Sequence, residues 1–187
     1  MPTLQVIAVS TRPGRAGFPL CTWLFERARA HGGFEVELVD LKEQDLPLFD
    51  EPHHPRLRQY VNEHTVRWSA KVASADAFVF VTPEYNHGPP PSFINALDYL
   101  VHEWAYKPVG LVSYGGPAGG TRAAQLVKPV LMALKMVVVQ ESVMVPLFTH
   151  AIDAQGVFKA SEHQETSARA MLDALAKWTS ALASLRG

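Results

Sequence analysis

The stretch VTPEYNHGPPPSFINALDYL, residues 81–100, joins three kinds of sequence. An apolar run ends at Thr82. A loop of Pro83, Glu84, Tyr85, Asn86, His87 and Gly88 follows, closed by Pro89, Pro90 and Pro91. From Ser92 the apolar residues recur at helical spacing. The order is therefore strand, loop, helix, which is half of a βαβ unit. The loop is stiffer and more polar than a plain turn needs. Pro83 fixes its φ and the three later prolines stiffen the exit, so its backbone N–H groups are held in place. In an open parallel sheet, ligands sit outside the carboxyl ends of the strands. The stretch thus points to a fold class and to a site within it.

Working outward, short apolar runs rich in valine and isoleucine lie at Leu4–Val9, Phe34–Val39, Ala77–Val81, Val109–Val112 and Val137–Val145. Most are apolar throughout, as strands covered on both faces should be. The second alternates, with Phe34, Val36 and Leu38 set against Glu35 and Glu37, which suits an edge strand. Helical patterns fill the gaps at Phe18–Ala30, Pro55–Ala75, Ser92–Trp104, Thr121–Leu134 and Ser161–Leu185. The last opens Ser-Glu-His-Gln, a capping-box pattern. Strands alternating with helices predict right-handed βαβ units. The expected fold is α/β, a flavodoxin-like, doubly wound, five-stranded parallel sheet in the order 2-1-3-4-5. No repeat, low-complexity tract or linker divides the 187 residues, so a single domain over 1–187 is expected.

Composition narrows the function classes. With 48% apolar and 19% charged residues, the chain is ordinary globular protein. A net charge of −1 argues against a duplex nucleic-acid binder and against a strongly acidic electron carrier. The single cysteine, Cys21, excludes an internal disulfide and a cysteine-rich metal site, and favours a reducing compartment. The start lacks a secretory signal pattern, and no apolar run nears the ~18 residues of a membrane span. A soluble cytoplasmic protein without nucleic-acid or membrane partners is expected.

In the 2-1-3-4-5 order, the loops after strands one, three and four meet at one edge. The first is Ser10-Thr11-Arg12-Pro13-Gly14-Arg15-Ala16-Gly17-Phe18. Hydroxyls, two arginines and two glycines there open a helix. Unpaired helix N–H groups and an arginine fork favour a phosphate. It is neither G-x-G-x-x-G nor a P-loop. The second is the opening stretch, in which Tyr85 can cover a planar ligand and Asn86 offers both donor and acceptor. The third, Ser113-Tyr114-Gly115-Gly116-Pro117-Ala118-Gly119-Gly120-Thr121-Arg122, lets backbone approach a flat ligand closely. A phosphate cradle, a stiff polar loop and a glycine platform suit a phosphorylated planar ligand, and FMN fits.

Three motifs carry a family resemblance: Ser10-Thr11-Arg12-Pro13-Gly14-Arg15; Thr82-Pro83-Glu84-Tyr85-Asn86-His87-Gly88 with Asn95-Ala96-Leu97-Asp98-Tyr99-Leu100; and Pro108-Val109-Gly110 with Ser113-Tyr114-Gly115-Gly116. Together they resemble the NADPH-dependent FMN reductases of flavodoxin-like fold, a group that includes quinone, azo-dye and chromate reductases. The resemblance spans about residues 4 to 122. It implies that Ser10, Arg12, Gly17 and Phe18 bind the phosphate end. Arg15, read from the sequence alone, faces FMN, a donor's 2′-phosphate or water. It implies that Pro83, Glu84, Tyr85 and Asn86 line the flavin ring, and that Ser113, Tyr114, Gly115 and Gly116 close its other edge. It further implies homodimers or homotetramers with NADPH or NADH as electron donor. The chain departs from the family at Val9, where glycine is usual, at Pro89, where an aromatic or another non-proline residue is frequent, and at Ile94, where lysine is frequent.

The chemistry then belongs to the cofactor, and no catalytic acid–base pair is expected. Electrons would pass from the nicotinamide through FMN to free flavin, quinones or similar acceptors in ping-pong order. The competing expectation is a non-catalytic FMN-binding carrier or redox-sensing partner. His53-His54 lacks a third ligand nearby, so no metal site is expected there. Cys21 reads as a packed core thiol. Asn95 and Asp98 read as helix polarity or as a subunit contact. The apolar excess of Ser92–Trp104 (Phe93, Ile94, Leu97, Tyr99, Leu100, Val101, Trp104) predicts an isologous dimer through that helix.

Overall fold

The computed structural model describes residues 1–186. Five strands form one parallel sheet: β1 (Thr3–Ala8), β2 (Glu35–Asp40), β3 (Ala77–Pro83), β4 (Pro108–Tyr114) and β5 (Val137–Val145). Their order is β2-β1-β3-β4-β5. The helices are α1 (Phe18–His31), α2 (Leu41–Gln44), α3 (Glu63–Ala73), α4 (Pro91–Asp98), α5 (Thr121–Ala133) and α6 (Glu162–Ala181). The expected fold and strand order are both found, with β2 at an edge. No helix among the described residues is long and apolar enough to cross a membrane.

Period-2 alternation sends the strand side chains to two cores. Leu4, Val6 and Ala8 of β1 face one core, with Leu20, Leu24 and Ala28 of α1 and Ala168, Met171 and Leu175 of α6. Ile7 and Val9 face the other, with Trp68 of α3, Phe93 and Leu97 of α4, and Val127 and Leu131 of α5. β3 and β4 are buried at every residue, as central strands covered on both faces must be. Gly110 belongs to this packing. A Cβ there would meet Met171 Sδ at 2.7 Å, so the missing side chain lets α6 close on β4.

Two expected helix spans are corrected. The helix read over Pro55–Ala75 is a 3-10 turn at Pro55–Leu57 and then α3 from Glu63. Arg58 adopts φ 51°, and the Glu51 carboxylate accepts the N–H groups of Val61 (2.9 Å) and Asn62 (3.0 Å). Those long-range bonds outcompete helix propensity. The helix read over Ser92–Trp104 ends at Asp98. Tyr99, Leu100 and Trp104 then fold beneath it, fully buried, with Trp104 against Trp68, Phe78 and Phe80 and its Nε1 donating to the Leu97 carbonyl. The apolar excess that motivated a dimer is therefore largely used inside the chain. β5 is an edge strand with Gln140, Glu141, Ser142 and Met144 exposed, and its register shifts between Val109 and Leu111 of β4. The capping box at Ser161–Gln164 is present, and α6 follows it.

Candidate functional site

The loops after β1, β3 and β4 leave three adjacent strands at their carboxyl ends, because β1 pairs with β3 and β3 with β4. Parallel pairing thus assembles residues about seventy to a hundred positions apart along the chain.

In the first loop, Ser10 is buried at the end of β1, and its Oγ lies 2.7 Å from Tyr85 Oη of the second loop. Arg12 is exposed and meets no carboxylate among the described residues. Arg15 behaves differently: its guanidinium pairs with Asp40 at the end of β2 and lies over the Phe18 ring, 5.3 Å from the centroid. Its Nε is buried without a partner. Gly17 caps α1 without a side-chain bond. The N–H groups of Arg12, Gly14, Ala16 and Gly17 find no acceptor among the described residues. With the dipole of the fourteen-residue α1 behind them, these donors form a set ready for an anion.

In the second loop, Pro83 ends β3 and is buried. Tyr85 and Gly88 exchange both backbone hydrogen bonds at 2.9 Å, and Asn86 (φ 48°) and His87 (φ 68°) form the two-residue turn between them. Both turn residues lie in the left-handed region, the geometry of a type I′ hairpin. They are exposed, and their N–H groups are without acceptors among the described residues. Glu84 lies lower: its carboxylate accepts the Arg122 N–H (3.1 Å) and Nε (2.6 Å). The Arg122 bonds hold the Glu84 carboxyl below its usual range, against the opposing effect of burial.

The third loop folds on itself. Ser113 Oγ donates to the Gly119 carbonyl at 2.8 Å, and the Tyr114 ring packs on Phe148 at 4.7 Å between centroids. Burial pushes the Tyr114 hydroxyl up from its ordinary value. The carbonyls of Gly115 and Gly116 are taken by the N–H groups of Phe148 and Leu147. Gly116 is exposed, with no atom within 4 Å of where its Cβ would stand. Cys21 lies beneath, buried, its thiol pushed up to about 12 by burial first and then by the Asp40 charge. That is a packed thiol, not a poised thiolate.

All thirteen residues expected at the site stand on these three loops or their strand ends. Two partners were missed, Asp40 and Arg122. Each is the ion-pair mate of an expected residue, and no local spacing reveals a mate that lies on another element. Asn95 is not left for a subunit contact: its Oδ1 accepts the Phe49 N–H (2.9 Å) and its Nδ2 donates to the Pro47 carbonyl (2.6 Å). His54 Nδ1 accepts the Arg56 N–H at 3.1 Å. A small cleft of about 230 Å³ joins Thr11 to Leu48, Pro91 and Asn95 beside the site. A larger one of about 650 Å³ lies between α1 and residues 156–160, and of the three loops only Phe18 lines it.

The donor set fits FMN. The free Arg12 and the unpaired N–H groups of the first loop suit a phosphate, and the exposed glycine backbone beside free N–H groups of the second loop suits a planar ring with carbonyl acceptors. Comparison with known proteins agrees. The profile of the NADPH-dependent FMN reductase family matches residues 2–150. An NAD(P)H-dependent FMN reductase of Schizosaccharomyces pombe is 46% identical over 137 residues, 72% of this chain and 68% of its own. A quinone reductase of Pseudomonas putida is 35% identical over 98 residues, about half of each chain (49% and 51%). Among solved structures, the flavoenzyme NAD(P)H:(acceptor) oxidoreductase FerB of Paracoccus denitrificans superposes with a TM-score of 0.74 over 97% of this chain and 98% of its own. At 22% identity it shares the fold.

Proposed function

The chain belongs to the NADPH-dependent FMN reductase family, and from that premise we propose that it is an FMN-dependent NAD(P)H oxidoreductase acting on free flavin, quinones or similar small acceptors. The observation that carries the reading is the meeting of an anion-ready loop, a rigid N–H-bearing hairpin and a glycine platform on three adjacent strands.

Ser10, Arg12, Gly17 and Phe18 hold the phosphate, with the α1 dipole behind them. Arg15 acts through Asp40, fixing the loop from below. Pro83 fixes the start of the loop, the Asn86–His87 turn would present backbone donors along one ring edge, and Tyr85 would cover the ring. Ser113 and Tyr114 brace the loop from which Gly115 and Gly116 approach the other edge. Bound FMN supplies two-electron transfer between a nicotinamide and an acceptor. The protein's part is to bind, to orient, and to place N–H dipoles where reduction adds negative charge. The loops after β3 and β4 would flank the ring and leave one open face, which donor and acceptor would share in turn, giving ping-pong order. Quinone acceptance is supported by the Pseudomonas putida relative, and a single cysteine supports a reducing, cytoplasmic setting. We also propose a homodimer, or a tetramer built from it, resting now on exposed Leu48 and Phe49 beside α4.

The test is spectroscopic. The purified protein should be yellow, and NADPH or NADH should bleach it anaerobically near ~450 nm, the band of the flavin itself. A quinone should restore the colour. Initial rates at several fixed acceptor concentrations should give parallel double-reciprocal lines; intersecting lines would mean two separate pockets. Flavin uptake without bleaching by either nicotinamide would mark a carrier instead.

A further inference from the structure

α5 begins without a cap of its own. Its N-cap is Gly120, at φ 80°, and no local side chain accepts from its first turn. The acceptor comes from 38 residues upstream. Glu84 Oε2 takes the Arg122 N–H at 3.1 Å, and Oε1 takes Arg122 Nε at 2.6 Å while pairing with Nη2. The Glu84 side chain is only 8% exposed, whereas Arg122 is 47% exposed. Glu84 N–H also donates to the Tyr114 carbonyl at 3.2 Å. A Cβ on Gly115 would lie 3.7 Å from Glu84 Cβ, so the two loops are in close contact.

We propose that Arg122 is a positioning residue: it holds Glu84 so that the loops after β3 and β4 form one rigid wall of the flavin site, and it cancels a carboxylate charge that would otherwise stand in that wall. The inference rests on the FMN reductase reading for its second half. A buried carboxylate beside a ring that gains negative charge would oppose reduction. A fork of charge-assisted bonds and a helix N-terminus removes that opposition while leaving the carboxylate ionised. The wall is thereby fixed in place and electrically neutral.

The sign of the effect makes the proposal testable. Arg122→Ala leaves the carboxylate uncompensated, and Glu84→Gln leaves the guanidinium uncompensated. The midpoint potential of bound flavin should become more negative in the first and more positive in the second. The double variant should return toward the wild type, and Arg122→Lys, which keeps the charge, should stay close to it. A residue with only a structural role would weaken flavin binding in both single variants without opposite shifts. Same-sign shifts, or none, overturn the charge role. The clamp itself is read in the flavin-free protein, after circular dichroism confirms folding. Amide exchange at the Arg122 N–H should quicken on the order of tenfold in Glu84→Ala, the loss of roughly 1.4 kcal/mol of hydrogen bonding. Unchanged exchange would overturn the clamp. If the wild type takes up no flavin, the proposed function fails, and the exchange measurement still decides whether the loops are joined.

Discussion

Tyr114 occupies the space that any side chain at Gly17 would need. A Cβ built there would overlap both Tyr114 Oη and Cζ, far inside van der Waals contact. Gly17 sits at φ −83°, open to every residue type, so the demand for glycine is purely one of room. The first and third loops are in this way fitted to one another, one ring filling the gap left by one missing methyl.

Gly17→Ala should therefore lower stability by about 1–3 kcal/mol through overpacking. Tyr114→Phe should not rescue it, because Cζ remains in the way. Tyr114→Leu should rescue it in part. Thermal melting of the four proteins checks this.

The two arginines of the first loop should separate cleanly. Arg12 is free, and losing one charge-assisted phosphate contact of about 2 kcal/mol weakens FMN binding about thirtyfold. Arg12→Ala should show that loss in a flavin titration with an unchanged melting temperature. Arg15→Ala removes the partner of an Asp40 side chain that is only 8% exposed. It should lower stability by roughly 3 kcal/mol in urea unfolding.

Acid should act through Glu84. Its folded pKa lies below the usual 4.5 because of Arg122, so its stabilising contribution is whole above that value. It is lost as pH falls through the lowered value. The gap in melting temperature between wild type and Glu84→Gln should stay constant from about pH 8 to about pH 5 and narrow below. A gap unchanged down to about pH 3 would mean that Glu84 does not stabilise as a carboxylate.

Leu48, at 81% exposure, and Phe49, at 40%, stand beside the site mouth and α4. If the subunits meet there, Leu48→Asp should reduce the mass seen by light scattering at micromolar concentration while leaving secondary structure intact. A wild type that is already monomeric would remove the dimer proposal.

Much of this was legible in the sequence, for physical reasons that differ by element. β3 and the loop after it announce themselves because the signals are local: an apolar run, a proline and a helix start within twenty residues. The strand order rests on the edge-like second strand, where Phe34, Val36 and Leu38 alternate with Glu35 and Glu37. What was hidden is non-local. Residues 58–62 carry a helical pattern, yet the Glu51 carboxylate takes the N–H groups of Val61 and Asn62. Tyr99 and Trp104 continue the apolar stripe of α4 but turn under it, since Trp68 and Phe78 hold the Trp104 ring and Phe49 and His64 hold that of Tyr99. Arg15 reads as a phosphate ligand until Asp40, twenty-five residues on, is seen to hold it.

The place of α6 has a consequence for synthesis. It supplies Ala168, Met171, Leu172 and Leu175 to one of the two cores, and Met171 fills the hollow at Gly110. A nascent chain that has left the ribosome only as far as β5 can already pair all five strands and close the Glu84–Arg122 clamp. Its sheet is then finished, but Gly110 and the strand residues around it still face water. Arrested chains cut between β5 and α6 should therefore bind chaperones that recognise apolar surface, and chains extended through Leu175 should release them.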